Sequence, residues 1–282
     1  MLLPDFIRES ARSLESLYPS REASAIVQRL CEDMAGFPHL AHILYPDTAV
    51  PPEKEAALRA AVARLAKAEP LQYVLGRETF CGREFKVDPS VLIPRPETEM
   101  LVLEASRHIS PASRVLDLCT GSGCIAWTVA LDHPSASVTA VDISREALAL
   151  ASSQFSGNSP VFICADILDP RFPETFPEGS FDIVLSNPPY IMEREKSQMR
   201  PNVLDYEPSI ALFVPNSDPL LFYRAVRDAA ARLLAPGGRG FLEINETLGE
   251  ETASLFRAEP FGNVGILKDF AGKNRIVTFE RI

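Results

Sequence analysis

Apolar residues recur with a helical period through the first 75 residues of the chain. Ile7, Ala11 and Leu14 share one face of a predicted helix, and Pro51-Pro52 predicts the start of another. Segments this short and amphipathic are typical of a small helical bundle. We find no catalytic cluster in them, so residues 1–75 fit either a structural appendage or a domain that docks a substrate.

The pattern changes between residues 76 and 95. Three stretches there have strand composition, at residues 79–81, 84–87 and 91–93. Gly82 and Asp88-Pro89-Ser90 interrupt them, as turns do. We therefore expect a β-hairpin linker at 76–95, followed by a helix that opens at Pro94-Arg95-Pro96 and runs to about His108.

From residue 114 onward, apolar strands alternate with helical stretches. The predicted strands are 114–118, 137–141, 160–164, 181–185, 239–244, 263–268 and 275–281, and the predicted helices are 122–132, 144–155, 219–234 and 247–257. Such alternation predicts an α/β fold with a mostly parallel sheet of seven strands and helices on both faces. The last two strands have no helix between them, so we expect an antiparallel hairpin at one edge. The predicted α/β domain spans residues 96–282.

Composition and charge narrow the function classes. The 282 residues are 46% hydrophobic and 23% charged, which is ordinary for a globular protein of two domains. The formal net charge of -10 disfavours binding to a long phosphate backbone and suits a basic protein partner better. We find neither a secretion signal nor an apolar run near the roughly 20 residues that span a bilayer. We expect a cytoplasmic location.

Cysteine and histidine usage does not indicate a metal site. The five cysteines are an odd number and form no Cys-x-x-Cys pair, so we interpret them as reduced thiols. His39 and His42 could share a helix face, but no third ligand is near them in the sequence. The prediction is that the protein binds no metal.

The first candidate site is the loop that follows the strand at 114–118. Gly121 and Gly123 permit a tight turn and a close approach of a ligand to the backbone. We expect the next helix to start at about Ser122, so that its free N–H groups face the ligand. A glycine-rich turn alone would suit NAD or FAD equally well.

Acidic residues end three successive predicted strands. They are Asp117, Asp142 and Asp166, and this edge of a parallel sheet is where such folds bind ligands. Asp142 is placed to accept hydrogen bonds from both hydroxyls of a ribose, and Asp166 could meet an adenine edge. Either residue alone could instead be a helix N-cap. The set of three favours a cofactor that carries a nucleoside.

The second candidate site, Asn187-Pro188-Pro189-Tyr190, follows the fourth strand. An asparagine side chain offers a donor and an acceptor, and prolines present carbonyl acceptors in a stiff geometry. The Asn187 oxygen and the Pro188 carbonyl could hold the two N–H bonds of a planar amide, with Tyr190 offering a face for stacking. A turn with a buried tyrosine is the structural alternative. Together, the two sites indicate methyl transfer to a planar nitrogen, which needs no metal.

Four motifs carry a resemblance to a known family. They are Pro70–Gly76, Leu92–Glu99, Asn187–Ile191 and Tyr206-Glu207-Pro208. At these motifs the chain resembles the class I S-adenosylmethionine-dependent methyltransferases and, more narrowly, the peptide chain release factor glutamine methyltransferases. The resemblance covers about residues 70 to 282, with a looser helical match before them.

The resemblance implies a Rossmann-like fold and methylation of the glutamine in the Gly-Gly-Gln loop of release factors. It implies S-adenosylmethionine as cofactor and S-adenosylhomocysteine as product. We also expect a monomer that contacts neither nucleic acid nor a membrane. It places substrate contacts on Asn187, Pro188, Pro189 and Tyr190, and we expect catalytic roles for Asn187, Pro188 and Tyr190. With Asp117 added from the strand pattern, the expected cofactor-binding residues are Asp117, Cys119, Thr120, Gly121, Ser122, Gly123, Asp142, Asp166, Ile167 and Asn187.

The chain departs from the family pattern at two residues, and the sequence is also compatible with three other functions. Cys119 stands where the family usually has a glycine, and Glu246 where glutamine is more usual. The alternatives are a glutamine methyltransferase that acts on a ribosomal protein, an adenine methyltransferase that acts on nucleic acid, and a non-catalytic binding module. The acidic balance disfavours the second. The intact motif at Asn187–Tyr190 disfavours the third, because binding alone does not need it.

Overall fold

The computed structural model describes residues 1–282, which divide into two compact units. The first unit contains Met1–Arg77 together with Arg200–Tyr206. The second contains Glu78–Met199 and Glu207–Ile282. No helix in either unit combines the length and the apolar character that crossing a membrane requires.

The first unit is a helical bundle. Its main helices are α1 (Leu3–Leu14), α2 (Ser20–Ala35), α3 (Ala41–Leu44), α4 (Pro52–Leu65) and α5 (Leu71–Leu75). Proline begins α4 as the sequence predicts, because the missing N–H of Pro52 would have no partner in a first turn. Gly36 ends α2 with a left-handed φ of 72°. The apolar faces meet in one buried core that includes Phe6, Leu30 and Leu58.

A short segment distant in sequence completes this bundle. The Arg200 guanidinium lies 2.5 Å from the Glu22 carboxylate and 5.9 Å from the centre of the Tyr18 ring. The Tyr206 hydroxyl donates a hydrogen bond to the Lys67 carbonyl at 2.7 Å. Helix α9 (Pro201–Leu204) lies in this segment, so the chain joins the helical unit between its two passages through the second unit.

The second unit is an α/β sandwich. Its strands are β1 (Arg77–Phe80), β2 (Arg83–Lys86), β3 (Arg114–Leu118), β4 (Ser137–Asp142), β5 (Val161–Cys164), β6 (Phe181–Ser186), β7 (Ile191–Met192), β8 (Phe213–Val214), β9 (Leu234–Glu243), β10 (Phe261–Lys268) and β11 (Asn274–Arg281). Its helices are α6 (Pro96–Ser106), α7 (Cys124–Asp132), α8 (Arg145–Ser152), α10 (Leu221–Leu233) and α11 (Gly249–Leu255). Strands β1 and β2 form the expected hairpin.

Seven strands form the main sheet in the order β10-β11-β9-β6-β3-β4-β5. Strands β9, β6, β3, β4 and β5 are parallel, and β11 is antiparallel to both of its neighbours. The predicted fold class is therefore confirmed, including the antiparallel hairpin at one edge. The chain order reverses between β3 and β6, and folds of this kind bind ligands at the carboxyl ends of the strands beside that switch point.

Two sequence predictions about strands are wrong. Residues 91–93 form no strand, because the Ile93 N–H bonds to the Glu207 carboxylate instead of a neighbouring strand. Strand β9 begins at Leu234 rather than near residue 239. Its pairing with β6 shifts register between Phe181 and Ile183, beside the left-handed Gly237. Pro236-Gly237-Gly238 therefore lies within an irregular strand.

Candidate active site

One cavity lies at the carboxyl ends of the parallel strands, within the second unit. The loops after β3, β4, β5 and β6 line it, together with parts of the segments 90–98 and 208–211. It brings together most of the predicted site residues, namely Cys119, Thr120, Gly121, Ser122, Asp142, Asp166, Ile167, Asn187 and Pro189. Four predicted residues do not line it, namely Asp117, Gly123, Pro188 and Tyr190.

Left-handed backbone shapes the loop after β3. Gly121 and Gly123 have φ values of 53° and 78°, so α7 begins only at Cys124 and not near Ser122. Gly123 also lacks room for a side chain, because a Cβ there would lie 3.0 Å from the Cβ of Ala151. A helix cannot pass through such residues, which explains the difference from the predicted start.

Cys119 adopts the same left-handed region, with a φ of 61°. This conformation costs a side chain other than glycine some strain, and the surrounding structure must hold it in place. The next residue is fixed on both sides. The Thr120 N–H donates to the Val141 carbonyl at 3.0 Å, and its hydroxyl donates to the Asp117 carboxylate at 2.5 Å. The cysteine thus takes the place of glycine without abolishing the turn.

Asp117 does not line the cavity, and its carboxylate instead holds the loop through the Thr120 hydroxyl. Its side chain is fully buried, and its second oxygen, Oδ1, has no hydrogen-bond partner. Burial raises the pKa of this carboxyl group to about 7, with the nearby Asp142 adding to the shift and the Thr120 hydroxyl opposing it. Its observed contacts are those of a residue that shapes the loop.

Asp142 ties the first two loops of the site together. One carboxylate oxygen accepts the Gly121 N–H at 2.8 Å, and the other accepts the Ser144 N–H at 2.9 Å. Asp142 is not the N-cap of α8, because Ser144 caps that helix through the Ala147 N–H. A carboxylate has about four acceptor positions, so Asp142 retains capacity for two hydroxyl groups. Burial raises the pKa of Asp142 from its usual value, and the backbone N–H groups that it accepts oppose the shift.

The third loop adds a carboxylate and an apolar surface. Asp166 is exposed, and one of its oxygens accepts the Leu168 N–H at 2.8 Å. Ile167 is buried beside it, and Ile143 lines the same cavity although 45% of its side chain is exposed. Sequence reasoning missed Ile143. An apolar residue directly after the acidic end of a strand was the available signal.

Asn187 follows β6 and is held by a residue far away in sequence. Its side-chain NH2 donates to the Thr98 hydroxyl at 3.1 Å. That hydroxyl in turn donates to the buried Glu243 carboxylate at 2.7 Å. Because the nitrogen of Asn187 is engaged in this way, its oxygen is the atom left for the cavity.

Tyr190 is anchored at both ends. Its hydroxyl donates to Glu243 at 3.0 Å, and its carbonyl accepts the side-chain NH2 of Asn245 at 3.3 Å. Its ring packs against the hydrophobic core, and burial raises the pKa of the phenol well above its usual range. The stacking role that the sequence suggested for this ring has no counterpart among the cavity-lining contacts. Pro188, whose carbonyl no residue of the chain hydrogen-bonds, lies between the two anchored residues.

A second long-range contact joins two of the motifs. The Arg95 guanidinium lies 2.5 Å from the Glu207 carboxylate, whose other oxygen accepts the Ile93 N–H at 3.1 Å. Arg95 lines the cavity, and Glu207 is buried. The pair holds residues 207–211 against the segment before α6. The motifs Leu92–Glu99 and Tyr206-Glu207-Pro208 therefore contribute to the same wall of the cavity.

Sequence reasoning missed the roles of Thr98, Arg95 and Glu243. Thr98 and Arg95 lie inside the motif at Leu92–Glu99, which identified a family but not a contact. Glu243 ends the apolar strand β9 and is 1% exposed. A charge within Phe241–Ile244 was a signal, since buried charges occur with partners.

Comparisons with known proteins decide the family. A release factor glutamine methyltransferase of Bacteroides thetaiotaomicron is 41% identical over 272 residues, which cover 96% of this chain and 97% of the relative. The corresponding protein of Flavobacterium psychrophilum is 36% identical, with 98% of both chains covered. A third, from Geobacter sulfurreducens, is 40% identical over 82% of this chain and 80% of its own. The chain belongs to the release factor glutamine methyltransferase family.

Family models agree with this assignment. The model described as the methyltransferase small domain matches residues 96–204, and the PrmC N-terminal domain matches residues 5–76. The resemblance inferred from the motifs is therefore confirmed. The protein is an S-adenosylmethionine-dependent methyltransferase with the class I fold.

Replacing Asp117 by asparagine tests the account of the loop. Between about pH 4 and 7 the unfolded chain gives up this proton while the folded protein retains it, so the wild type loses stability as the pH rises. We expect Asp117→Asn to gain stability relative to wild type across this window, by about 1.4 kcal/mol for each unit of pKa shift. Urea unfolding at a series of pH values measures the difference.

Asp182→Asn is a control of opposite sign. Hydrogen bonds from Arg114 lower the pKa of Asp182, so its contribution is present above the unfolded pKa and is lost on acidification. For this variant, the difference from wild type should change only below about pH 4. A constant stability difference for Asp117→Asn between pH 4 and 7 would show that its carboxyl group is not held neutral.

Proposed function

We propose that this protein transfers a methyl group from S-adenosylmethionine to the side-chain amide nitrogen of the glutamine in the Gly-Gly-Gln loop of peptide chain release factors. One observation carries the chemistry: the amide of Asn187 is fixed with its oxygen free, beside a cavity that suits a nucleoside. Membership of the family supports the release factor as the substrate.

The donors and acceptors around the cavity fit the cofactor. Asp142 has acceptor capacity for ribose hydroxyls, and Asp166 has an oxygen for an exocyclic amine. Ile143 and Ile167 offer apolar surface to the flat base. The loop at Cys119–Ser122 allows a ligand to approach the backbone closely. The bound cofactor supplies a methyl group on a positively charged sulfur, which is already activated for displacement.

The residues after β6 make the amide nitrogen reactive by orienting it. An amide nitrogen is a poor nucleophile because its lone pair is delocalised into the carbonyl. The Asn187 oxygen and the Pro188 carbonyl are the two acceptors that we assign to the N–H bonds of the substrate amide. They direct the nitrogen toward the cavity and stabilise the positive charge that develops on it. The bond between the methyl carbon and the cofactor's sulfur would break as the bond to nitrogen forms, and one of the two N–H protons would then be lost to solvent. Because Asn187 and Tyr190 are both anchored, this arrangement exists before the substrate binds.

The helical unit is the proposed docking domain for the protein substrate. Its short helix α3 leaves large apolar side chains in solvent, with Ile43, Leu44 and Tyr45 each about 60% exposed. Clusters of exposed apolar residues are typical of sites that bind another protein. A second contact outside the cavity would position a loop glutamine that is otherwise held by only a few hydrogen bonds.

Substitutions at Asp142 and Asn187 should separate cofactor binding from turnover. Asp142→Ala removes acceptors for the ribose, so we expect a loss of at least about tenfold in S-adenosylmethionine affinity. Asn187→Ala should bind the cofactor within a few fold of wild type but lose about 100-fold or more in kcat. Calorimetry and initial rates measure the two effects, with the exposed Asp228→Ala as control. Unchanged affinity in Asp142→Ala would remove its ribose role.

The docking role predicts a selective effect on the protein substrate. The double variant Ile43→Ser, Leu44→Ser should raise KM for an intact release factor by about tenfold, because apolar contact area is lost. Cofactor affinity should not change. Val161→Ser removes an equally exposed apolar side chain on β5 and serves as control. Equal KM values for all three proteins would place docking elsewhere.

Transfer of a labelled methyl group tests the proposed reaction. The purified protein is incubated with labelled S-adenosylmethionine and either a release factor or a variant with alanine in place of the loop glutamine. We expect label on the first substrate only. Label on both would contradict the assigned glutamine. Label on neither, with transfer to a ribosomal protein or to nucleic acid, would replace the proposed substrate by one of the alternatives.

A further inference from the structure

Glu243 is a buried carboxylate that takes no direct part in the proposed reaction. It ends β9, is 1% exposed and accepts hydrogen bonds from the hydroxyls of Thr98 and Tyr190. Removing a carboxylate from water is costly, and an apolar side chain would fill the same space at lower cost. Packing alone therefore does not account for an acid at this position.

The hydrogen bonds around Glu243 have a definite direction. An ionised carboxylate can only accept, so the Thr98 hydroxyl must point its hydrogen toward Glu243. The oxygen of Thr98 is then available only as an acceptor on its other side. It receives the NH2 group of Asn187, which turns the oxygen of Asn187 away from Thr98. Without a fixed direction at Thr98, the two ends of the Asn187 amide could exchange places.

We propose that Glu243 is the positioning residue of the active site, which acts through Thr98 and Tyr190 to make Asn187 present its oxygen, and not its NH2 group, to the substrate nitrogen. The inference rests on the proposed function, since only an N–H substrate needs an acceptor there. Glu243 also fixes the far end of Asn187–Tyr190 through the Tyr190 hydroxyl. One carboxylate thereby sets the orientation of the asparagine and the placement of the Pro188 carbonyl between the two anchors.

Protonation of Glu243 would reverse this direction. A protonated carboxyl group donates one hydrogen bond, so either Thr98 or Tyr190 would have to reorient. Burial raises the pKa of Glu243, and Glu97 on α6 adds to that shift, while Thr98, Tyr190 and Arg275 on β11 oppose it. Tyr223 on α10 also lies close enough to interact with its charge. Activity should therefore fall on acidification at a higher pH than an ordinary glutamate would produce.

The test compares three substitutions in the full-length protein. Thr98→Val keeps the shape of the side chain but removes the hydroxyl, and Thr98→Ser retains the hydroxyl and serves as the matched control. Glu243→Gln mimics the protonated acid at every pH. For each protein, kcat and KM for the release factor, the pH profile of kcat, the cofactor affinity and the melting temperature are measured.

We expect Thr98→Val and Glu243→Gln each to lower kcat by about 10-fold to 100-fold, as losing an oriented group at a site of developing charge does. Cofactor affinity should stay within about threefold of wild type, and Thr98→Ser should recover most of kcat. A variant that combines Thr98→Val with Glu243→Gln should be no worse than the poorer of the two single variants, because both changes break the same chain of hydrogen bonds. Glu243→Gln should also lose the acid limb of the pH profile.

The possible results distinguish a failure of the Glu243 inference from a failure of the proposed function. An active wild type with Thr98→Val within twofold of it would overturn this inference and leave the proposed function standing. Equal losses in Thr98→Ser and Thr98→Val would show that packing matters and the hydroxyl does not, which also overturns it. Absence of transfer by the wild type would overturn the proposed function and this inference together. A kcat of Glu243→Gln within twofold of wild type would also overturn the inference. If Glu243→Gln fails to fold, the pH profiles decide: the inference requires an acid limb in the kcat of the wild type that Thr98→Val lacks, and identical profiles in the two proteins would overturn it.

Discussion

A side-chain amide can hold a substrate N–H only if its oxygen faces the substrate, so the proposed active site depends on this orientation of Asn187. The protein fixes it by occupying the amide nitrogen with the Thr98 hydroxyl. Thr98 comes from the first turn of α6 and Asn187 from the end of β6, so the orientation exists only once the sheet and its helix have packed. Local sequence alone would leave the two ends of the amide equivalent.

The parallel sheet brings the remaining parts together. Chain order reverses between β3 and β6, and the loops that follow both strands enter one cavity. Asp142 and Asp166 reach that cavity from the ends of β4 and β5, so a nucleoside can bind on one side of the switch point. Asn187 lies on the other side. In the proposed reaction, this topology would bring the methyl group of the cofactor next to the substrate nitrogen held at Asn187.

Sequence periodicity predicted the order and type of the main elements, because apolar spacing and strand-helix alternation report which faces are buried. It also placed Asp142, Asp166 and Asn187, since residues at the carboxyl ends of parallel strands meet at one edge. It did not find the contact of Thr98 with Asn187 or that of Arg95 with Glu207, which join residues 89 and 112 positions apart. Nor could it give the start of α7, which left-handed backbone decides.

Direct observation of the new bond would test the central claim. A release factor whose glutamine side chains carry 15N would be methylated by this protein with S-adenosylmethionine labelled with 13C in its methyl group, and then examined by NMR. A one-bond coupling between 13C and 15N at the loop glutamine is the predicted result. A methyl signal without that coupling would mean that the methyl group is attached to another atom, and would contradict a site built to present an amide nitrogen.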